Sequence, residues 1–147
     1  MAQERDAVGK VVGSVFARFF ANRATVQVFR VEGSANTRIL IGEAGSVAVK
    51  SKGGTLYLNF ASKSRAEEFL AQKLSQGYES AQIKSFRVSK SFFNEVSRTA
   101  VAEGDAAAFP TRPFLVDVTK APHQYGIRPN QFDSLRKAIV QGTGKVH

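Results

Sequence analysis

Thr25-Val26-Gln27-Val28-Phe29-Arg30-Val31-Glu32 is the stretch on which the fold turns. β-branched and aromatic residues fill it, and Gly33-Ser34 closes it, so it reads as a strand. Working downstream, Arg38–Ile41 and Ser46–Lys50 read as two more strands, separated by Gly42 and Gly45. Lys52-Gly53-Gly54 then reads as a tight turn into Thr55–Phe60. Four short strands with tight connections predict an antiparallel sheet. Ala81–Ser89 and Phe114–Thr119 supply a fifth and a sixth strand.

The intervening segments carry helical spacing. Ser64-Arg65-Ala66-Glu67 fits a capping box, after which Ala66, Phe69, Leu70 and Leu74 share one face and Gly77 stops the helix. Ser91–Val101 predicts a short helix carrying Phe92, Phe93 and Val96. Asn130 is placed to cap a last helix that turns Phe132, Leu135 and Ile139 inward. Upstream, Val8, Val11, Val12, Val15, Phe16, Phe19 and Phe20 recur at helical spacing and predict a first helix over Asp6–Ala21. Glu103–Arg112 and Pro122–Pro129 read as loops, and Gly142–Lys145 as a fraying tail. The expected class is α+β: an N-terminal helix, then a mainly antiparallel sheet of about five to six short strands with helices packed against it. One domain is expected over 1–147, with a helical segment at 1–24 and the sheet-containing core at 25–147.

Charge is the strongest global feature. Twenty-one Lys and Arg face twelve Asp and Glu, a net charge of +9. Such an excess repels itself in a compact state and suits a polyanionic partner, above all nucleic acid. The chain has no cysteine and two histidines, His123 and His147. Disulfides and thiolate metal sites are thereby excluded, and an imidazole-rich metal site is disfavoured. No apolar run reaches the ~20 residues needed to span a bilayer.

Several residues could carry chemistry. Arg30 shares a strand face with Val26 and Val28, where a charge is costly unless an anion or carboxylate meets it. It could instead reach solvent or pair with Glu32 or Asp117. Tyr57 and Asn59 lie together on one face of their strand, and Arg87 shares a face with Ser85 and Ile83. If these strands neighbour the first, Arg30, Tyr57, Asn59 and Arg87 would line a cleft able to grip phosphate and stack a base. The segment Lys120–Arg128 gathers Lys120, His123, Gln124, Tyr125 and Arg128 between prolines. Metal-free RNA cleavage needs proton carriers and cations for the phosphorane. His123 and Tyr125 could serve as the former, Lys120 and Arg128 as the latter. An exposed loop histidine is the plain alternative, and His147, at the end of the chain, is set aside.

The runs Val28–Gly33, Leu56–Phe60 and Arg65–Leu70, with Val116–Pro122 and the ending Gly142–Lys145, resemble the C-terminal toxin domains of bacterial polymorphic toxins of the Rhs-repeat and contact-dependent inhibition type. The resemblance covers roughly Val28 to the end. It implies a secreted effector, delivered into the cytoplasm of a competitor cell and neutralised by a cognate immunity protein. Two activities are implied. One is a metal-independent ribonuclease that uses no cofactor. The other is an ADP-ribosyltransferase that uses NAD, with Arg30 holding the dinucleotide, Ser62 on the following strand segment and Glu103 as the late acid. Glu103 lacks the Glu-x-Glu or Gln-x-Glu context usual there. A non-catalytic basic nucleic-acid-binding module is the third class.

Overall fold

The computed structural model describes residues 24–119 and 123–147. The helix expected over Asp6–Ala21 lies outside the described residues. The sheet is larger than expected. Strands β1 (Thr25–Glu32), β4 (Leu56–Phe60), β5 (Gln82–Ser89), β6 (Val101–Ala102), β7 (Phe114–Leu115), β8 (Gln124–Ile127) and β9 (Ile139–Val146) form one seven-stranded sheet in the order β6-β7-β8-β4-β1-β5-β9. All its ladders are antiparallel except β6 with β7. Strands β2 (Ile39–Ile41) and β3 (Val47–Val49) make a separate hairpin.

The two faces of the sheet are covered unequally. Val28, Leu56, Leu58, Phe60, Phe86 and Val88 point to one side. There they meet the hairpin (Ile39, Val47, Val49), helix α2 (Lys90–Thr99, through Phe92 and Val96) and helix α3 (Phe132–Ala138, through Phe132 and Leu135). This is the main core. On the other side Phe29 and Ile83 are covered by helix α1 (Lys63–Ser75) through Ala66, with Leu70 and Val31 packed alongside. Among the described residues one helix packs on this face, and the flanks of α1 leave concave ground.

Local chemistry sets the element boundaries. Ser62, two residues before the expected cap, is the N-cap of α1: its side chain accepts from the Arg65 N–H at 3.4 Å. The α1 face read as wholly inward is buried only at Ala66, and Phe69 and Leu74 stay more than two-fifths exposed. Ser89 caps α2 by accepting from the Phe92 N–H at 3.3 Å. Asn130 does not cap α3; its side-chain amide donates to the Thr111 carbonyl, and a 3-10 turn at Pro129–Gln131 leads into the helix. Of the strand expected over Phe114–Thr119, only Phe114–Leu115 pairs.

Two segments expected to be irregular are strands. Gln124–Ile127 inserts between β4 and β7. Gly126 is needed there because a Cβ would run into the Phe114 ring. The glycine-rich ending is not a fraying tail but the edge strand β9, bulged between its pairings with Ser85 and Arg87. The Thr143 hydroxyl fills that bulge, accepting from the Arg87 N–H at 2.9 Å and donating to the Val140 carbonyl at 2.6 Å. The hairpin is fastened to β9 by Gln141, whose side-chain amide exchanges both hydrogen bonds with the Val47 backbone at 2.8 and 3.0 Å. Backbone meets backbone closely here: a Cβ on Gly45 would stand 2.5 Å from the Gly142 carbonyl oxygen.

Candidate anion-binding cleft

The β1–β4 ladder holds only two residue pairs, Val28 with Phe60 and Phe29 with Asn59, before the strands part. Where they part, a cleft of about 470 Å³ opens between the sheet, the Gly53–Thr55 turn and one flank of α1. Arg30 stands in the opening. Its Nη1 reaches across to the Tyr57 carbonyl at 3.0 Å, and its Nε donates to Glu32 Oε2 at 2.5 Å.

Glu32 organises the ground beneath. Its side chain is fully buried and accepts from Arg30, from Lys84 Nζ at 2.9 Å, and from the backbone N–H groups of Arg38 and Ile39. Burial alone would raise the pKa of this carboxyl. Hydrogen bonds from Arg30 and Lys84 and the charge of Arg30 outweigh burial and hold it below the ordinary carboxylate range. The pairing explains how a charged residue occupies an apolar strand face. Arg38 forms part of the cleft wall, its guanidinium donating to the carbonyls of Gly53, Gly54 and Thr55.

The rest of the lining comes from both sides. Tyr57 and Asn59 project from β4, and Gln124 lies opposite Asn59 on β8. Tyr57 is two-fifths exposed and meets the Phe114 ring edge-on, centroids 5.8 Å apart. From α1 come Arg65, Phe69, Gln72 and Lys73. Arg65, Phe69 and Lys73 recur every four residues, so one helix flank presents two cations and a ring. Lys73 lies over the rings of Phe69 and Tyr78, at 5.3 and 4.8 Å from their centroids. No carboxylate lines the cleft among the described residues. Cations, side-chain amides and exposed rings together can hold a phosphate and stack a planar base.

The residues singled out from sequence fall in several places. Arg30, Tyr57 and Asn59 share the cleft. The strand carrying Arg87 does neighbour β1, but Arg87 lines a second depression with Thr25, Gln27, Phe29 and Lys63. Ser62 is occupied as the α1 cap, its own N–H held by the Asn59 side chain. Tyr125 faces the main core, edge-on to Phe60 and Phe93, and burial raises its pKa. Arg128 covers the Phe114 ring and donates to the Ala106 and Arg112 carbonyls. Glu103 accepts from the Asp117 N–H beside β6, four strands from β1 and so about 19 Å away at the usual strand spacing. Lys120 lies outside the described residues. His123 is exposed at the start of β8, next to the cleft residue Gln124. Its carbonyl accepts from the Phe60 N–H, and its φ of 69° is unusual for a side-chain-bearing residue.

Arg65, Phe69, Gln72 and Lys73 were not anticipated as site residues, and Gln124 was noted only as a member of the Lys120–Arg128 segment. The four-residue repeat on α1 was the available signal, hidden because Phe69 also fits a core stripe. Among the described residues no cluster of three or more metal-ligating side chains occurs, and no helix is long and apolar enough to cross a membrane. No protein-family model matches the chain, and no curated protein or solved structure is significantly similar to it.

Proposed function

We propose that the chain is an RNA-directed effector domain that holds a single-stranded segment in the β1–β4–α1 cleft and cleaves it without a cofactor. The observation that carries this reading is the cleft lining: Arg30, Arg65 and Lys73 with the exposed rings of Tyr57 and Phe69, and no carboxylate among the lining residues, the partners of Arg30 and Arg65 (Glu32 and Glu68) standing outside it. Cations take the phosphates, rings stack the bases, and the amides of Asn59 and Gln124 address base edges or 2′-hydroxyls. His123, the residue before Gln124, is the proton carrier for attack of the 2′-oxygen on phosphorus and departure of the 5′-oxygen. The toxin-domain resemblance adds the setting: delivery into another cell, and an immunity protein that blocks the activity.

NAD-dependent ADP-ribosyl transfer is the second reading, favoured by one observation. Arg30 lies where β1 parts from β4, and β4 runs into the Ser62-capped helix. It would need an acid nearer than Glu103.

The test is to incubate the purified chain with total RNA in chelator, with and without NAD. Fragments formed without NAD and lost in His123→Ala support cleavage. A labelled adduct that requires NAD transfers the assignment to the second reading, and tight binding with neither product makes the chain a binding module. Tyr57→Ala should weaken binding of an oligonucleotide by the ~1–3 kcal/mol of one base stack. Lys73→Gln should lower the salt slope by about one. Unchanged binding in both variants overturns the cleft assignment.

A further inference from the structure

The other flank of α1 carries a second constellation, built around the histidine that the sequence set aside. The His147 backbone N–H donates to the Ile83 carbonyl at 2.8 Å, fixing this residue on β5. Its Nε2 lies 2.7 Å from the Ser85 hydroxyl, and its ring centroid is 6.3 Å from that of Phe29. Ser85 is buried, whereas His147 as a whole residue is exposed. A serine hydroxyl can donate to a neutral ring or accept from a protonated one. His147 therefore keeps its anchor in both charge states, as a proton carrier must.

Cations surround it. Lys145 pairs in register with Ser85, and Lys63 opens α1. Arg87, two residues from Ser85 on the same strand face, is held by Thr25 through Nε at 2.6 Å. Lys63, Arg87 and Phe29 line the second depression, of about 370 Å³. Neither Lys63 nor Arg87 has a carboxylate within salt-bridge distance among the described residues. Among the described residues, Glu67 is the acid whose charge acts on His147. Two cations, Lys145 and Lys63, thus stand against one carboxylate around an anchored imidazole, and Arg87 lies in the adjoining depression, which Phe29 and Lys63 share with it.

We propose that Lys63, Arg87 and His147 form a second phosphate-binding site, which takes a further phosphate of the strand held in the cleft. The shared-strand part rests on the RNA reading above; the phosphate site does not. In the free protein, partial desolvation where the ring meets Ser85 and Phe29, and then the charges of Lys145 and Lys63, lower the pKa of His147, and Glu67 opposes them. An anion seated beside the ring offsets the charges of these cations and favours imidazolium.

With two histidines in the chain, imidazole NMR reads the site directly. His147→Gln assigns the signals. Inorganic phosphate should raise the His147 titration midpoint by about 1 unit, the effect of an opposite charge within hydrogen-bonding range. Lys63→Gln combined with Arg87→Gln should abolish that rise with the fold intact by circular dichroism, whereas Lys73→Gln in the cleft should leave it unchanged. A His147 midpoint indifferent to phosphate, or a rise that survives the double variant, overturns the site. A non-cleavable 2′-O-methyl oligouridylate long enough to span α1 then tests the shared strand. Its affinity should fall at least tenfold in the double variant, and also in Tyr57→Ala. A loss only in Tyr57→Ala refutes the shared strand while leaving the cleft in place. A loss only in the double variant refutes the cleft and retains the second site.

Discussion

Glu32→Gln is the substitution that most directly tests the arrangement beneath the cleft. The native carboxylate takes Arg30 and the Arg38 N–H on one oxygen, Lys84 on the other, and the Ile39 N–H between them. An amide keeps one acceptor and turns the other into a donor that faces donors. Arg30 and Lys84, with side chains 11% and 12% exposed, are left without a counter-charge. Removing one partner of a buried pair costs about 3–5 kcal/mol, a large share of the ~5–15 kcal/mol that holds a domain together. At ~2–4 °C per kcal/mol for a chain of this size, the thermal midpoint should fall by roughly 6–20 °C. Protonation performs the same experiment in the native protein. A carboxyl whose folded pKa lies below its unfolded value contributes stability that is present above the unfolded value, 4.5, and lost as pH falls through the folded one. Urea titrations of both proteins at pH 7 and at pH 3 should therefore show a gap that narrows in acid. A loss below about 1 kcal/mol at pH 7, or a gap indifferent to pH, would refute the reasoning.

Other expectations follow from the packing. Gly126→Ala should cost about 1–3 kcal/mol by driving a methyl into the Phe114 ring, and should weaken RNA binding through displacement of Tyr57; an unchanged urea midpoint counts against it. Gly45→Ala, at φ +77° and against the Gly142 carbonyl, should loosen the hairpin from β9 at a similar cost, measurable as faster amide exchange at Val47. Ser62→Ala should lose about 1 kcal/mol of cap energy, read as a lower thermal midpoint with far-ultraviolet circular dichroism little changed. Because burial raises the pKa of Tyr125, the unfolded chain ionises first, and stability should decline as pH rises past ~10. Tyr125→Phe should flatten that decline.

Much of this arrangement was legible in the sequence where the signal was local. The alternation of Thr25–Glu32 and Leu56–Phe60 placed both strands, and it put Tyr57 and Asn59 on one face. Pairing of Arg30 with Glu32 was one of the options that a charge on an apolar face allowed. What was not legible depended on distant partners. Gly126 looks like a loop residue until Phe114 lies against it, and the glycines of β9 look like a tail until the Gly45 backbone approaches them. Phe69 satisfies a core stripe by spacing alone; only the width of the sheet decides that it stays at the rim. His147 gains its setting from Ser85, 62 positions away.

The brevity of the β1–β4 ladder has a mechanical meaning. β5 is stitched to β1 over eight residue pairs, whereas β4 is stitched to it over two, with Arg30 bracing the gap. By their pairing the seven strands fall into two groups joined by a short seam, β1-β5-β9 on one side and β4-β8-β7-β6 on the other. The seam should breathe before either group frays. Since it forms the floor of the cleft, an occupant that bridges Tyr57 and Arg30 clamps the groups together, and ligand affinity and rigidity rise as one quantity.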